Sequence, residues 1–169
     1  KKKKITLMLS RNPFYLSETP SERKLTSLII DKIPAGLTRL DLPGTFYGSI
    51  DPNLFSKFTS ITEFNLGRGG GAYFHPDGNN GNTPLPNIHK TCTTYTAYSN
   101  DFRSIASSSG DNKNIKELED LSYLHISSNY YLSDGGNFQI SPQNNKINYI
   151  NLASTNLNIP NLAGKTELQ

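Results

Sequence analysis

The chain contains a single cysteine, Cys92, so no disulfide can form within it, and a fold stapled by bridges is excluded. Long apolar runs are missing too: none approaches the roughly 20 residues of a membrane-spanning helix, so membrane insertion is not expected. Charge is sparse, at 18% of residues with a net +3, and Lys1 to Lys4 supply four of the basic groups. Without that run the chain is nearly neutral and lacks the basic stripe of a nucleic-acid binder. The four lysines and the short apolar patch after them do not have the form of a signal peptide. Asn, Ser and Thr are plentiful, yet no Asn-x-Ser/Thr acceptor occurs, which disfavours a glycosylated ectodomain. The hydrophobic share, 34%, is low for a compact globule and suits a thin core assembled piece by piece.

Catalytic motifs are also missing. There is no nucleophile elbow and no H-E-x-x-H pair, and Gly67-Arg68-Gly69-Gly70-Gly71 lacks the G-K-S/T ending of a phosphate loop. Asp77-Gly78-Asn79-Asn80-Gly81-Asn82 alternates oxygen ligands but carries one carboxylate and no closing Glu, which argues against calcium. His75 and His89 read as surface histidines of a polar loop rather than metal ligands, and Cys92 reads as a buried structural thiol. No catalytic residue, metal or cofactor is therefore expected, and the chain is not expected to be an enzyme.

What is present is a recurring unit. Leu121-Ser-Tyr-Leu124-His-Ile126-Ser-Ser-Asn129-Tyr-Tyr131 fits L-x-x-L-x-L-x-x-N-x-L, with Ile and Tyr at apolar positions. Degenerate copies run over Lys4 to Phe14, Leu37 to Tyr47, Ile61 to Gly71, Cys92 to Phe102 and Ile147 to Leu157. The fourth and sixth positions are two apart, the period of a strand with alternate side chains inward. The Asn that follows can hydrogen-bond backbone where the chain leaves the strand. One such strand buries little, so the copies must stack into a parallel sheet.

These units resemble the leucine-rich-repeat family over nearly the whole chain. The resemblance implies an α/β repeat solenoid: a curved parallel β-sheet with short helices, 3₁₀ turns and loops on its convex side. It places one solenoid segment of about six repeats over residues 1–169, part of a longer chain, with strands near 5–9, 38–42, 62–66, 93–97, 122–126 and 148–152. The disulfide-rich end modules of many secreted members are absent. Thr19-Pro20-Ser21-Glu22 and Asp51-Pro52 read as helix starts, ahead of Leu25, Leu28 and Ile29 and of Leu54, Phe55 and Phe58 respectively. Asn114 to Leu121 reads as a short helical or 3₁₀ approach, and the Gly-, Asn- and Pro-rich residues 67–90 as a projecting loop insertion.

With the fourth and sixth positions inward, the third, fifth and seventh point out, on the concave face of such a solenoid. The candidate partner-binding residues on it are Arg39, Asp41, Glu63, Asn65, Tyr98, Tyr123, His125, Tyr149 and Asn151. This surface passes from charged groups to Tyr, His and Asn, the composition of adaptable recognition surfaces. The resemblance implies a non-enzymatic module for protein binding or carbohydrate binding, in adhesion for example. The alternative is a structural protein, a segment of a cell-surface, adhesin or virion assembly covered by neighbouring subunits. A cell-surface, extracellular or virion location is expected over a cytoplasmic one.

Overall fold

Alternation of apolar and polar side chains over three-residue stretches dictates short strands, and the computed structural model, which describes residues 4–8, 30–42, 51–67 and 84–165, is built from them. In chain order they are β1 (Thr6–Met8), β2 (Arg39–Asp41), β3 (Glu63–Asn65), β4 (Pro84–Leu85), β5 (Ile88–His89), β6 (Thr94–Thr96), β7 (Ser104–Ile105), β8 (Asn112–Lys113), β9 (Tyr123–His125) and β10 (Tyr149–Asn151). Six of them form one parallel sheet in the order β1-β2-β3-β6-β9-β10. The register puts Leu7, Leu40, Phe64, Tyr95, Leu124 and Ile150 in one inward column. Leu37, Ile61, Cys92, Leu121 and Ile147 are buried just before the strands, and Leu42, Leu66, Ala97 and Ile126 just after them.

The connections return along a second wall that packs on this column. Phe55 meets Phe64 at 4.8 Å between ring centroids, Phe64 meets Tyr95 at 5.3 Å, and the buried Tyr95 hydroxyl donates to the Pro86 carbonyl at 2.9 Å. Two small pairings stiffen this wall, β4 with β7 in parallel and β5 with β8 antiparallel. Cys92 is fully buried, which pushes its thiol pKa up to about 12. Residues 84–90 do not project as part of a loop insertion: Leu85, Pro86, Asn87, Ile88 and His89 are all buried. Residues 68–83 of that insertion lie outside the described residues, as does the helix expected after Thr19 up to residue 29.

Two columns of polar side chains tie coil to coil. At the second position of the unit, hydroxyls of Thr38, Thr62, Thr93 and Ser122 each donate to a carbonyl one coil back, those of Ile5, Thr38, Thr62 and Thr93, at 3.0 to 3.1 Å. At the ninth, the amide nitrogen of buried Asn100 donates to Leu66 O at 2.9 Å and that of Asn129 to Ala97 O at 2.9 Å and Ile126 O at 2.8 Å. The Asn129 carbonyl oxygen accepts from Phe102 N at 3.2 Å. Ahead of this column the chain turns through a left-handed residue each time: φ is 54° at Ser99, 55° at Ser128 and 58° at Ser154.

The leucine-rich-repeat assignment and the α/β fold class are corrected by these connections. Among the described residues the one helical position is Ile30 and there is no 3₁₀ turn, so the alternation of helix and strand that the family requires is not formed; the chain is a parallel-sheet β-solenoid. The reason is local. The Asp51 carboxylate captures Asn53 N at 2.8 Å, the Asn114 carbonyl oxygen captures Lys116 N at 2.9 Å, and that of Asn144 captures Lys146 N at 2.9 Å and Ile147 N at 3.0 Å. The same bonds would cap a helix, but the main chain behind them closes only separate three-residue turns such as Leu54 N to Asp51 O and Glu117 N to Asn114 O. Tyr131, read as the last apolar position of its unit, is 60% exposed, and Leu132 is buried in its place.

Asn129→Ala removes the donor of three buried carbonyls, those of Ala97, Ile126 and Ser127, and the acceptor of one buried N–H, so a loss of at least about 2 kcal/mol is expected in urea unfolding. An unchanged midpoint would mean that the amide column does not hold the coils. At the left-handed turn, Ser128→Gly should be neutral or stabilising while Ser128→Val costs about 1 to 2 kcal/mol. Equal melting temperatures for the two variants would refute the strained-turn reading.

Candidate functional site

Strand alternation gives the sheet an outer face, and the register brings its candidate residues into two groups. The first is charged. The Arg39 guanidinium lies 2.8 Å from Asp41 and 2.8 Å from Glu63, which also takes the Lys4 ammonium at 2.6 Å. The hydrogen bond to Asp41 raises the Arg39 pKa further, and the bond from Lys4 comes first in holding the Glu63 carboxyl below the usual range. Asp41 is only 3% exposed, so this member of the face is covered rather than presented. Asn65 is likewise engaged, its carbonyl oxygen accepting from Thr96 Oγ1 at 2.7 Å and Gly67 N at 2.8 Å.

The second group is aromatic. Tyr123 and Tyr149, opposite each other on β9 and β10, stack at 4.3 Å with 5° between their planes. Tyr98 stacks on His125 at 4.6 Å and 16°. The His125 ring meets Tyr123 and Tyr149 edgewise at 6.4 Å and 6.2 Å, joining both stacks into one four-ring cluster. Room for Tyr98 comes from Gly67: a Cβ there would sit 2.2 Å from Tyr98 Cε1, so no larger residue fits without displacing the ring. Burial, then the neighbouring Tyr149, raises the Tyr123 pKa.

His125 is the polar centre of the cluster. Its Nε2 lies 2.9 Å from Ser127 Oγ and 3.4 Å from Asn151 Nδ2, and the same amide nitrogen donates to Tyr149 Oη at 3.3 Å. An amide donor on that side assigns Nε2 as the acceptor, with the proton on Nδ1. Burial pushes the His125 pKa down, so the ring is held neutral.

The structure thus gathers Tyr98, Tyr123, His125, Tyr149 and Asn151 in one cluster and Arg39, Asp41 and Glu63 in another, with Asn65 beside Thr96 between them. Sequence reasoning missed Lys4, Thr96 and Ser127, each hydrogen-bonded to a candidate residue. Thr96 and Ser127 occupy outward positions of the unit and were legible by place; Lys4 was not, sitting in the basic run Lys1 to Lys4. His89, read as a surface histidine, is buried, with Nδ1 3.0 Å from Thr91 Oγ1. Among the described residues no three His, Cys, Asp or Glu side chains group as metal ligands, and no helix is long and apolar enough to cross a membrane. No protein-family model, curated protein or solved structure matches the chain.

The depressed His125 pKa has a stability consequence whose sign is fixed. The unfolded imidazole titrates near about 6.5, so below that pH the unfolded chain binds the proton that the fold disfavours. Stability is therefore full above that value and falls as pH drops through the lower folded pKa. Thermal melts from about pH 8 to pH 4 should show a shallower acid decline for His125→Gln than for the native chain; parallel curves would exclude His125 as a contributor.

Proposed function

We propose that the chain is a non-catalytic recognition scaffold that binds a protein or glycan partner through the outer face of its six-stranded sheet, centred on Tyr98, Tyr123, His125, Tyr149 and Asn151. The observation that carries this reading is the four-ring cluster. Its side chains are already held by stacking and by the Asn151 amide, so little rotamer freedom remains to be lost on binding. Because the ring faces are used against each other, the cluster offers a partner its edges and hydroxyls, with Tyr149 the most exposed member at 36%. Such a surface favours polar contacts with an already folded or extended partner over capture of an apolar segment. The charged group makes a weaker contact site, since its members are satisfied among themselves. A partner on another cell or in the surrounding medium fits this reading, and with it a surface, extracellular or virion location.

The test is a screen of the labelled chain against arrayed glycans and arrayed ectodomains, followed by affinity measurement on the hits. Tyr123→Ala should weaken binding by about 1 to 4 kcal/mol. Loss of the stacked pair should itself cost the fold about 0.5 to 1.5 kcal/mol, so the variant remains testable. Gln139→Ala, an exposed change off this face, should bind normally. Native affinity in the tyrosine variant would rule out the sheet face as the site.

A further inference from the structure

The sheet-face cluster holds one side chain whose charge changes near neutral pH, and the fold fixes which way its neighbours point. His125 Nε2 lies 2.9 Å from Ser127 Oγ and 3.4 Å from the Asn151 amide nitrogen, which also donates to Tyr149 Oη at 3.3 Å. The Asn151 amide is not free to turn over. Its carbonyl oxygen accepts Ala153 N at 3.1 Å, just as the Asn65 oxygen accepts Gly67 N at 2.8 Å at the same position of an earlier unit. This local turn aims the Asn151 nitrogen at His125. The titratable groups facing the imidazole are three phenols: Tyr98 stacked on it from the coil of β6, Tyr123 edgewise from its own strand and Tyr149 edgewise from β10. Burial, with no neighbouring charge, accounts for its lowered pKa.

These contacts suit a neutral imidazole. With Nε2 unprotonated, the Ser127 hydroxyl and the Asn151 amide both donate to it; protonation turns Nε2 into a donor. The hydroxyl adapts by rotating to accept, but the amide then meets N–H with N–H. Turning the amide over gives up its bonds with Ala153 N and Tyr149 Oη, and withdrawing it opens the contact to His125. Either way the bridge from β9 to β10 across the outer face is broken. The imidazolium itself stays in place, because the Tyr98 ring stacked on it at 4.6 Å attracts a cation. What moves is therefore Asn151, and with it Tyr149, the most exposed ring of the cluster. We infer that His125 and Asn151 form an acid-operated latch on the tyrosine face, closed around the neutral imidazole and opened by its protonation, so that a partner bound near neutral pH is released on acidification. The release rests on the recognition reading above, whereas the latch is a property of the free chain. Because the His125 pKa is depressed, the latch stays closed below the ordinary imidazole value of about 6.5 and opens at lower pH.

The experiment is an NMR titration of the whole nitrogen-labelled chain from about pH 8 to about pH 4. The Asn151 side-chain amide and the Tyr149 ring resonances should shift with the His125 midpoint, and the imidazole should be the Nδ1–H tautomer at the alkaline end. In His125→Gln, whose amide oxygen can accept at every pH, the Asn151 and Tyr149 resonances should hold still. Asn151→Asp replaces the amide donor by an acceptor, so its His125 midpoint should move to higher pH. For each glycan or ectodomain that the arrays identify, affinity should fall at least about tenfold between about pH 7.5 and about pH 5, and His125→Gln should remove that fall. The latch is overturned by Asn151 and Tyr149 resonances that do not follow the His125 midpoint, or by an unchanged or lowered midpoint in Asn151→Asp. Release is overturned by an affinity that falls equally in the native chain and in His125→Gln, or does not fall in the native chain. Arrays without a hit would sink the recognition reading and with it the release, while the resonances still decide the latch.

Discussion

Successive coils of this solenoid are held together by polar side chains that bond to main-chain carbonyls of the coil before, hydroxyls ahead of β2, β3, β6 and β9 and Asn amides after β6 and β9. The strands of the sheet are three residues long, too short for their ladder bonds and inward side chains to fix the stack alone. The Thr and Ser hydroxyls precede the strand and the Asn amides follow it, so at β6 and β9 the backbone is pinned on either side of the inward side chain. This is why a chain with so modest an apolar share can close a continuous core. The polar residues are internal fasteners, and their burial is tolerated because nearly every one is bonded.

That arrangement also shapes the outer face. Fixing the ends of the strands fixes their register, and register decides which outward side chains meet. Tyr123 falls opposite Tyr149 and their rings stack, while Tyr98, two positions beyond the last residue of its strand, folds back over Gly67 onto His125. The face is consequently half-buried by its own members. Asp41 and Ser127, which alternate outward, are among the least exposed residues on it. A surface that packs against itself is rigid before a partner arrives, which is the property the recognition reading depends on.

The inward columns were legible in the sequence because a period of two, repeated with an Asn at fixed distance, is hard to produce except by strands stacked in register. The spacing between equivalent hydroxyl positions varies, 33, 24, 31 and 29 residues, and it was in these unequal connections that reading failed. Apolar residues at helical spacing, such as Leu54, Phe55 and Phe58, are equally compatible with successive turns once Asp51 and Asn53 take part in local hydrogen bonds, and pattern alone does not separate the two. The same ambiguity placed Tyr131 inside and left Leu132 unnoticed. On the outer face, neighbours at the same position of adjacent units were legible, as with Tyr123 and Tyr149. Diagonal partners such as Tyr98 and His125, and the exclusion of any side chain at Gly67, depend on how far a ring folds back, which spacing does not encode.

The two described arginines make the logic of the surface explicit. Arg39 and Arg103 are both partly buried and both lie beside the stack, yet Arg39 ends in two carboxylates whereas Arg103 ends against a ring. An aromatic face stabilises a guanidinium but accepts no N–H bond, so it orients the fork and leaves its donors unmet. In a molecule where the Thr, Ser and Asn fasteners find acceptors, the buried Arg103 Nε shares with Asn87 Oδ1 and Asn112 Oδ1 the lack of a hydrogen-bond partner. Function in repeat scaffolds is sought where local consistency breaks, because elsewhere each side chain is already accounted for by folding. By that criterion the sheet-face cluster is organised by the fold itself, while Asn87 Oδ1, Arg103 Nε and Asn112 Oδ1, buried without a partner, mark where packing prevailed over hydrogen bonding.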